Sequence, residues 1–383
     1  MLRQTNASVV PLLCLLIYAA SAHSQGSSDP VSSSQIDAIF ASLKPATAPG
    51  AAALVVHNGR VVFRRGYGVT DLRTLRKIDE RTNFRLASFT KQFTAACIML
   101  LAHDGKLNYD DHLTHFFPEF PAYGNSITVR NLLNHTSGLE DYEDLLTQQY
   151  PGTPPEKIPQ ILDAGVLKLL EQQTTVKFPA GTKWEYSNSG YAVLAMIVEK
   201  VSGKPFGEFL QERIFTPLRM KNTLAYERGK NEVPHRAYGH TKKDNNGWQE
   251  TDQSPTSAVL GDGGIYSSLD DLAKWDRALR LHTLLSEGEM QPALTPVQPT
   301  QAPAKSPEGA TVSYGFGWVL NPYQGHKRMS HDGETIGFRT TIQRFPDDQL
   351  TIIILANRED TNPEELALKV ADLYLGKQRP AKQ

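Results

Sequence analysis

Apolar residues recur along this chain in two rhythms, and the rhythm changes where the chain turns. Ile36, Ile39, Phe40 and Leu43 fall at helical spacing. Ala51 to His57 then predicts a strand, Asn58-Gly59 a tight turn and Arg60 to Val69 the return strand. Asn-Gly is the dipeptide that supplies the two positive-φ positions of a two-residue hairpin. Ser88 to Leu101 predicts a helix apolar over most of its surface, which implies burial, and Asp104-Gly105 stops it. From 106 to 258 the signals are mostly helical, as at Ile161 to Leu170, Tyr191 to Val201 and Phe206 to Phe215. Pro151, Pro154 and Pro155 mark a loop among them, and 229–257 is polar and loop-rich. Ser268-Leu269-Asp270-Asp271 has the form of a capping box and opens a helix to about Leu281. Residues 286–310, rich in Pro, Ala and Gln, predict a surface loop. Strand signals follow at Gly315 to Leu320, Phe338 to Phe345 and Leu350 to Ala356. Asn362 then caps a last helix with Pro363 in its first turn, and Leu366, Val370 and Leu373 share one face.

This order predicts a mixed α/β (α+β) fold, an antiparallel sheet flanked by helices plus a helical subdomain. The sheet part takes about 35–105 and 259–376, and the helical part, about 106–258, is inserted into it. Ahead of the fold, residues 1–22 read as a secretory signal. Arg3 gives the positive start, Val9 to Ala22 the apolar run, and Ala20-Ser21-Ala22 the small-residue cleavage site. The run is too short for a good membrane span, and no later segment is long and apolar enough to cross a bilayer. Residues 23–34 read as a flexible leader and 377–383 as a tail. The expected location is secreted or periplasmic.

Composition changes this picture little. At 40% hydrophobic and 21% charged, the chain suits a folded core. Loss of residues 1–22 would leave 39 basic and 41 acidic residues, a net −2. That charge favours neither nucleic acid nor an anionic membrane as partner. Of the two cysteines, Cys14 lies in the signal, so Cys97 has no intrachain partner and core size must provide the stability.

Three short patterns carry the candidate chemistry. Ser88-Phe89-Thr90-Lys91, an S-x-x-K, occurs once and opens the buried helix. Ser88 and Lys91, at i and i+3, share a face. Burial disfavours a charged amine, which suits a lysine there to take the serine proton. Y-x-N occurs twice, at Tyr123-Gly124-Asn125 and Tyr186-Ser187-Asn188. H-x-G occurs three times: His57-Asn58-Gly59 is the hairpin turn, His103-Asp104-Gly105 a helix stop, and His331-Asp332-Gly333 precedes a strand. No G-x-S-x-G, P-loop or H-E-x-x-H is present. His112 and His115 have metal-like spacing, but without an acidic or Cys partner set they read as a solvated face. No cofactor and no metal are expected.

The order and surroundings of these patterns decide between their copies. From about residue 35 to 376 the chain resembles the serine beta-lactamase-like hydrolases: class C beta-lactamases, D,D-carboxypeptidases and related esterases. The resemblance lies in Thr82 to Thr94, in Leu132-Leu133-Asn134-His135-Thr136-Ser137-Gly138-Leu139, and in Pro179-Ala180-Gly181 followed by Tyr186 to Tyr191. It continues in Gly263-Gly264-Ile265-Tyr266-Ser267-Ser268 and His331 to Phe338. It implies a beta-lactamase/transpeptidase-like fold and a role for each site residue. Ser88 is the nucleophile, Lys91 and Tyr186 share general-base work, and Asn188 orients the substrate. The N–H groups of Ser88 and Glu334 form the oxyanion hole beside His331 and Gly333.

One departure bears on substrate. Beta-lactamases of this group usually carry K-T-G where this chain has His331-Asp332-Gly333, and a neutral His beside two acids is a poor carboxylate site. The sequence therefore favours an exported serine hydrolase of small-molecule ester, amide or peptide substrates, working through an acyl-enzyme. A D,D-carboxypeptidase or D-aminopeptidase, a class C-like beta-lactamase, and a penicillin-binding-type protein with little turnover remain open. So do the oligomeric state and the role of Asp262.

Overall fold

The computed structural model describes Met1 and residues 31–244, 247–306 and 309–376. The expected signal, most of the leader and the tail lie outside the described residues. Helix α1, Ser33–Ile39, begins inside the stretch expected to be flexible. Its cap is a reciprocal one that the sequence reading passed over: the Ser32 hydroxyl accepts from Gln35 N–H, and the Gln35 side chain accepts from Ser32 N–H.

A five-stranded antiparallel sheet organises the molecule. Its strands are β1 (Ala51–His57), β2 (Arg60–Tyr67), β3 (Met329–Thr335), β4 (Phe338–Phe345) and β5 (Leu350–Ala356). They lie in the order β2-β1-β5-β4-β3, so segments about three hundred residues apart meet at the β1–β5 pair, with Ala51 opposite Ala356. The β1–β2 turn is as the sequence predicts, with Asn58 at φ 51° and Gly59 at φ 72°. β1 and β5 are buried almost throughout, because both faces are covered. Ala51, Ala53, Val55, Ile352 and Ile354 pack with α1 and the C-terminal helix. Ala52, Leu54, Val56, Ile353 and Leu355 join the main core on the other face.

On that second face lies helix α2, Lys91–His103, entered through a 3₁₀ turn at Ala87–Thr90. Every α2 residue from Lys91 to Leu101 is buried. The predicted helices in the middle of the chain appear as α3 (Asp163–Glu171) and α4 (Asn188–Ser202), and Phe206 to Phe215 as an α segment continued by a π turn. Helix α5, Leu269–Arg280, packs against β1 and β5, and α6, Pro363–Tyr374, covers the opposite face. Asn362 caps α6 by accepting from Glu365 N–H.

Three expectations need correction. No strand forms at Gly315 to Leu320; Tyr314 and Val319 make isolated bridges only. Gly317 takes φ 74°, in the left-handed region, which breaks an extended run despite its alternating apolar residues. Ser268 starts α5, but no capping hydrogen bond forms there. Asp271 instead accepts from Asn222 N–H and the Thr223 hydroxyl. Finally, 286–310 is not loop throughout, since Glu287–Met290 is a helical turn capped by Ser286 and Gln291–Leu294 continues it as a 3₁₀ turn.

Helix α5 is fastened to the sheet by a buried ion pair. Arg344 Nε donates to Asp276 Oδ1 at 2.9 Å, and the Thr351 hydroxyl donates to the same oxygen at 2.7 Å. Removing one partner of such a pair strands a charge in the core. Arg344→Leu should therefore lower the unfolding free energy by about 3–5 kcal/mol. Urea unfolding measures this, and a loss below about 1 kcal/mol, the range of exposed pairs, would refute the clamp.

Candidate active site

Ser88 is held at the end of a short rigid approach. Phe84–Arg85 pairs with Tyr266 and Ser267, and Leu86 N–H donates to the Ile265 carbonyl at 2.8 Å. Ala87 then takes φ 50°, a left-handed conformation costing a non-glycine residue about 1–2 kcal/mol. The kink turns the chain into the 3₁₀ segment that carries Ser88. From the other side, β3 presses against the same segment. A Cβ on Gly333 would lie 2.0 Å from the Leu86 carbonyl oxygen, so only glycine fits the third position of this H-x-G. Beside it the Thr340 hydroxyl donates to Leu86 O at 2.7 Å.

Lys91 reaches Ser88 as the i, i+3 spacing implies. Its amine, fully buried, lies 3.1 Å from Ser88 Oγ. It also donates to Asn188 Oδ1 at 2.8 Å and to the Asp262 carbonyl at 3.0 Å. Each of these acceptors is fixed from elsewhere. Asn188 opens α4, whose cap is Ser187, accepting from Gly190 N–H at 3.1 Å. The middle residue of the Y-x-N is thus a helix cap, a role suited to serine. The Leu260–Asp262 backbone is gripped by the buried Asp163 carboxylate, which accepts from Leu260 N–H at 2.8 Å and Gly261 N–H at 2.9 Å. Burial pushes the Asp163 carboxyl up to about 7 against the effect of those two bonds.

Tyr186 completes the group. The Lys91 amine lies 5.0 Å from its ring centroid. The other Y-x-N is elsewhere and structural: Tyr123 donates to the Leu170 carbonyl at 2.6 Å, and Asn125 accepts from Thr114. Cys97 is fully buried and its thiol is pushed up by desolvation, which leaves it unreactive.

His331 lies behind this cluster, only 4% exposed. Its Nδ1 lies 2.7 Å from the Asp332 carbonyl, so it donates there, and its Nε2, 3.0 Å from the Tyr314 hydroxyl, accepts. Burial, then the charge of Lys91, lowers its pKa to about 3, so the ring is neutral. Asp332 points to the opposite face, where the Thr341 hydroxyl donates to it at 2.5 Å. Its charge therefore does not line the site, contrary to the sequence reading that set it beside the substrate. Glu334 does line it, but pairs with Arg339 at 2.8 Å, and Arg339 also donates to the Thr335 and Phe338 carbonyls.

A cleft of about 300 Å³ opens beside Ser88. Besides Asn188 and Glu334 it is lined by Tyr142, Glu143 and Thr256, which no pattern marks, and by Arg85 and Asp262, to which the sequence patterns assign no role. Asp262 is buried, its carboxyl raised by desolvation, and it accepts from the Tyr142 hydroxyl at 2.8 Å. Arg85, 3% exposed, donates to the Gly263 and Ser257 carbonyls at the cleft floor. Among the described residues Glu143 forms no ion pair. Among them, too, no three His, Cys, Asp or Glu side chains converge as a metal site, and no helix is long and apolar enough to cross a membrane.

The neutral state of His331 gives a pH signature. In the unfolded chain the imidazole titrates near 6.5, so below that pH the unfolded state binds the extra proton. The contribution of this group to stability is complete above about 6.5 and is lost as pH falls toward 3. Relative to His331→Gln, the wild type should lose about 1.4 kcal/mol per pH unit below 6.5. Urea unfolding at pH 7, 6 and 5 measures this, and parallel profiles would contradict it.

Known proteins resemble this chain in sequence and in fold. The family model described as Beta-lactamase matches residues 37–377. Penicillin-binding protein 4* of Bacillus subtilis is 32% identical over 338 residues, 84% of this chain and 71% of that protein. The D-aminopeptidase of Brucella canis is 29% identical, covering 86% of this chain but only 60% of that protein's own length. Among solved structures, D-amino acid amidase from Ochrobactrum anthropi SV3 superposes with a TM-score of 0.74 at 25% identity, over 88% of this chain and 95% of that one.

Proposed function

Because the chain belongs to the beta-lactamase family, whose relatives here are serine hydrolases, we propose that it is an exported hydrolase that cleaves amide or ester bonds through an acyl-enzyme on Ser88. One observation carries the reading: a fully buried lysine amine 3.1 Å from a serine hydroxyl at the edge of a cleft. The bonds to Asn188 Oδ1 and the Asp262 carbonyl direct this amine at the Ser88 hydroxyl. In the proposed sequence Lys91 and Tyr186 take the serine proton as Oγ attacks the substrate carbonyl. The N–H groups of Ser88 and Glu334 receive the developing oxyanion, and Tyr186 returns a proton to the leaving group. Asn188 keeps Lys91 and substrate in register. His331, buried behind Tyr186, and Gly333, which lets β3 close on Leu86, form the wall without touching the reacting atoms.

A fluorophosphonate probe should label the peptide containing Ser88, and Ser88→Ala should abolish the label. Lys91→Ala and Tyr186→Phe should each lower kcat about a hundredfold on p-nitrophenyl acetate, the range for loss of a general base. Labelling that persists in Ser88→Ala would refute the assignment.

A second, finer reading concerns the substrate. The wall formed by β3 offers a carboxylate little: His331 is neutral, and Arg339 is already bound to Glu334 and two carbonyls. Glu143, at the cleft, has its carboxyl raised to about 7 by burial, with the Lys91 charge opposing, so a substrate cation beside it would favour its ionised form. That asymmetry favours substrates with a free amine on the acyl side, in keeping with relatives named D-aminopeptidase and D-amino acid amidase. D-alanine p-nitroanilide should be cleaved at least about tenfold better in kcat/KM than its N-acetyl form, a preference of about 1.4 kcal/mol. Glu143→Gln should erase that preference. Equal turnover of the two by the wild type would dismiss the amine and leave the serine mechanism intact.

A further inference from the structure

The imidazole of His135 has no step in the proposed chemistry, yet it is fully buried among the aromatic rings of the site. Its bonds bracket one residue. The His135 carbonyl accepts from Glu185 N–H at 3.0 Å, and its Nδ1 accepts from Ser187 N–H at 3.1 Å. Tyr186 lies between those two peptides. Its ring sits on the imidazole with centroids 4.4 Å apart and planes 37° from parallel. One residue thus fixes the backbone on both sides of Tyr186, by its main-chain carbonyl before it and its imidazole after it, and the imidazole sets the plane of the ring.

We infer that His135 is the positioning residue for Tyr186, and through Ser187 for Asn188. The link to Asn188 is short. Ser187, whose N–H is held by His135, is the cap of α4, and Asn188 is the first residue of that helix and a partner of Lys91. A shift of the Ser187 peptide would therefore move both the phenol and the amide relative to Lys91. Misplacement of about 1 Å at a reacting group can cost a hundredfold in rate.

The residue type follows from the bonds. An acceptor at Nδ1 requires the proton on Nε2, hence a neutral ring of one tautomer. Desolvation, then the positive charge of Lys91, holds the imidazole well below its ordinary pKa, so the acceptor is kept. Nε2 itself is buried and has no hydrogen-bond partner, as befits a ring chosen for its other nitrogen and its flat face. Phenylalanine would stack without accepting, and asparagine would accept without stacking. The backbone adds a constraint, because His135 takes φ 63°, a conformation that Gly and Asn adopt readily. Its position is pinned by Thr136, whose N–H donates to Asn131 O at 2.9 Å and whose carbonyl accepts from Gly181 N–H at 2.8 Å.

The inference rests on the reading of Tyr186 as part of the catalytic group, and a double-mutant cycle separates the two. His135→Gly removes the ring without straining the backbone. On p-nitrophenyl acetate it should lower kcat about thirtyfold with KM within about threefold of wild type, as expected for a displaced proton-transfer group. In the Tyr186→Phe background the same change should cost less than about tenfold, since of the two groups it places only Asn188 remains. His135→Asn, which keeps an acceptor and tolerates the left-handed backbone, should recover kcat to within about fivefold of wild type. Equal losses in both backgrounds would overturn the inference, as would an asparagine variant no better than the glycine one. If Tyr186→Phe alone retains full kcat, the catalytic reading of Tyr186 fails and this inference falls with it. Should His135→Gly not fold, His135→Asn decides alone: kcat within fivefold supports positioning, and a loss beyond about tenfold rejects it.

Discussion

A lysine amine shut away from water must find its hydrogen-bond acceptors in the protein, and this requirement shapes the whole site. Lys91 is met by Ser88 Oγ, Asn188 Oδ1 and the Asp262 carbonyl, which come from three separate segments. Leaving such a group unsatisfied in the interior would cost several kcal/mol. The first turn of α2, the start of α4 and the turn before Ile265 are therefore mutually dependent. Each also carries its own device for staying in place: the kink at Ala87, the Ser187 cap and the buried Asp163 carboxylate. Stability and reactivity here share one set of contacts.

The sheet supplies the second boundary. β3 lies at its edge, and the absence of a side chain at Gly333 lets that edge come against Leu86. With strand alternation, His331 and Gly333 face inward and Asp332 faces out to Thr341. An H-x-G at such an edge thus has a structural logic at each position: a buried neutral ring, an outward side chain, and a gap where two backbones meet.

Much of the fold was legible because the signals were local. Asn58-Gly59 defines its hairpin from two residues, and Asn362-Pro363 its helix start. The Ser88–Lys91 contact followed from helical spacing alone. Where apolar alternation ran through Tyr314, Phe316 and Trp318, the pattern misled, since Gly317 in its left-handed conformation breaks the extended run. Of the site, the motif residues could be named but their surroundings could not. Arg85, Tyr142, Glu143 and Asp262 reach one cleft through the topology of a chain whose motifs say nothing about them. Asp332 shows the converse, since sequence adjacency to His331 suggested a shared environment that the strand geometry divides. His135 could be quoted as part of a recognisable run, but its grip on Tyr186 depends on a contact across distant sequence.

The pairing of β1 with β5 also sets a timetable for folding. Ala51 and its neighbours emerge from synthesis about three hundred residues ahead of the strand opposite them, which ends at Ala356. Until then the β1–β2 hairpin presents an apolar, unpaired edge, of the kind that invites association with other chains. Closing so long a loop is slow, because its entropy is lost before the strand contacts reward it. β3, the strand that abuts the Ser88 segment, belongs to the same late block. A partly made chain would thus carry Ser88 long before it carried the strand that walls it in, and the cleft would be complete only with the closure of the sheet.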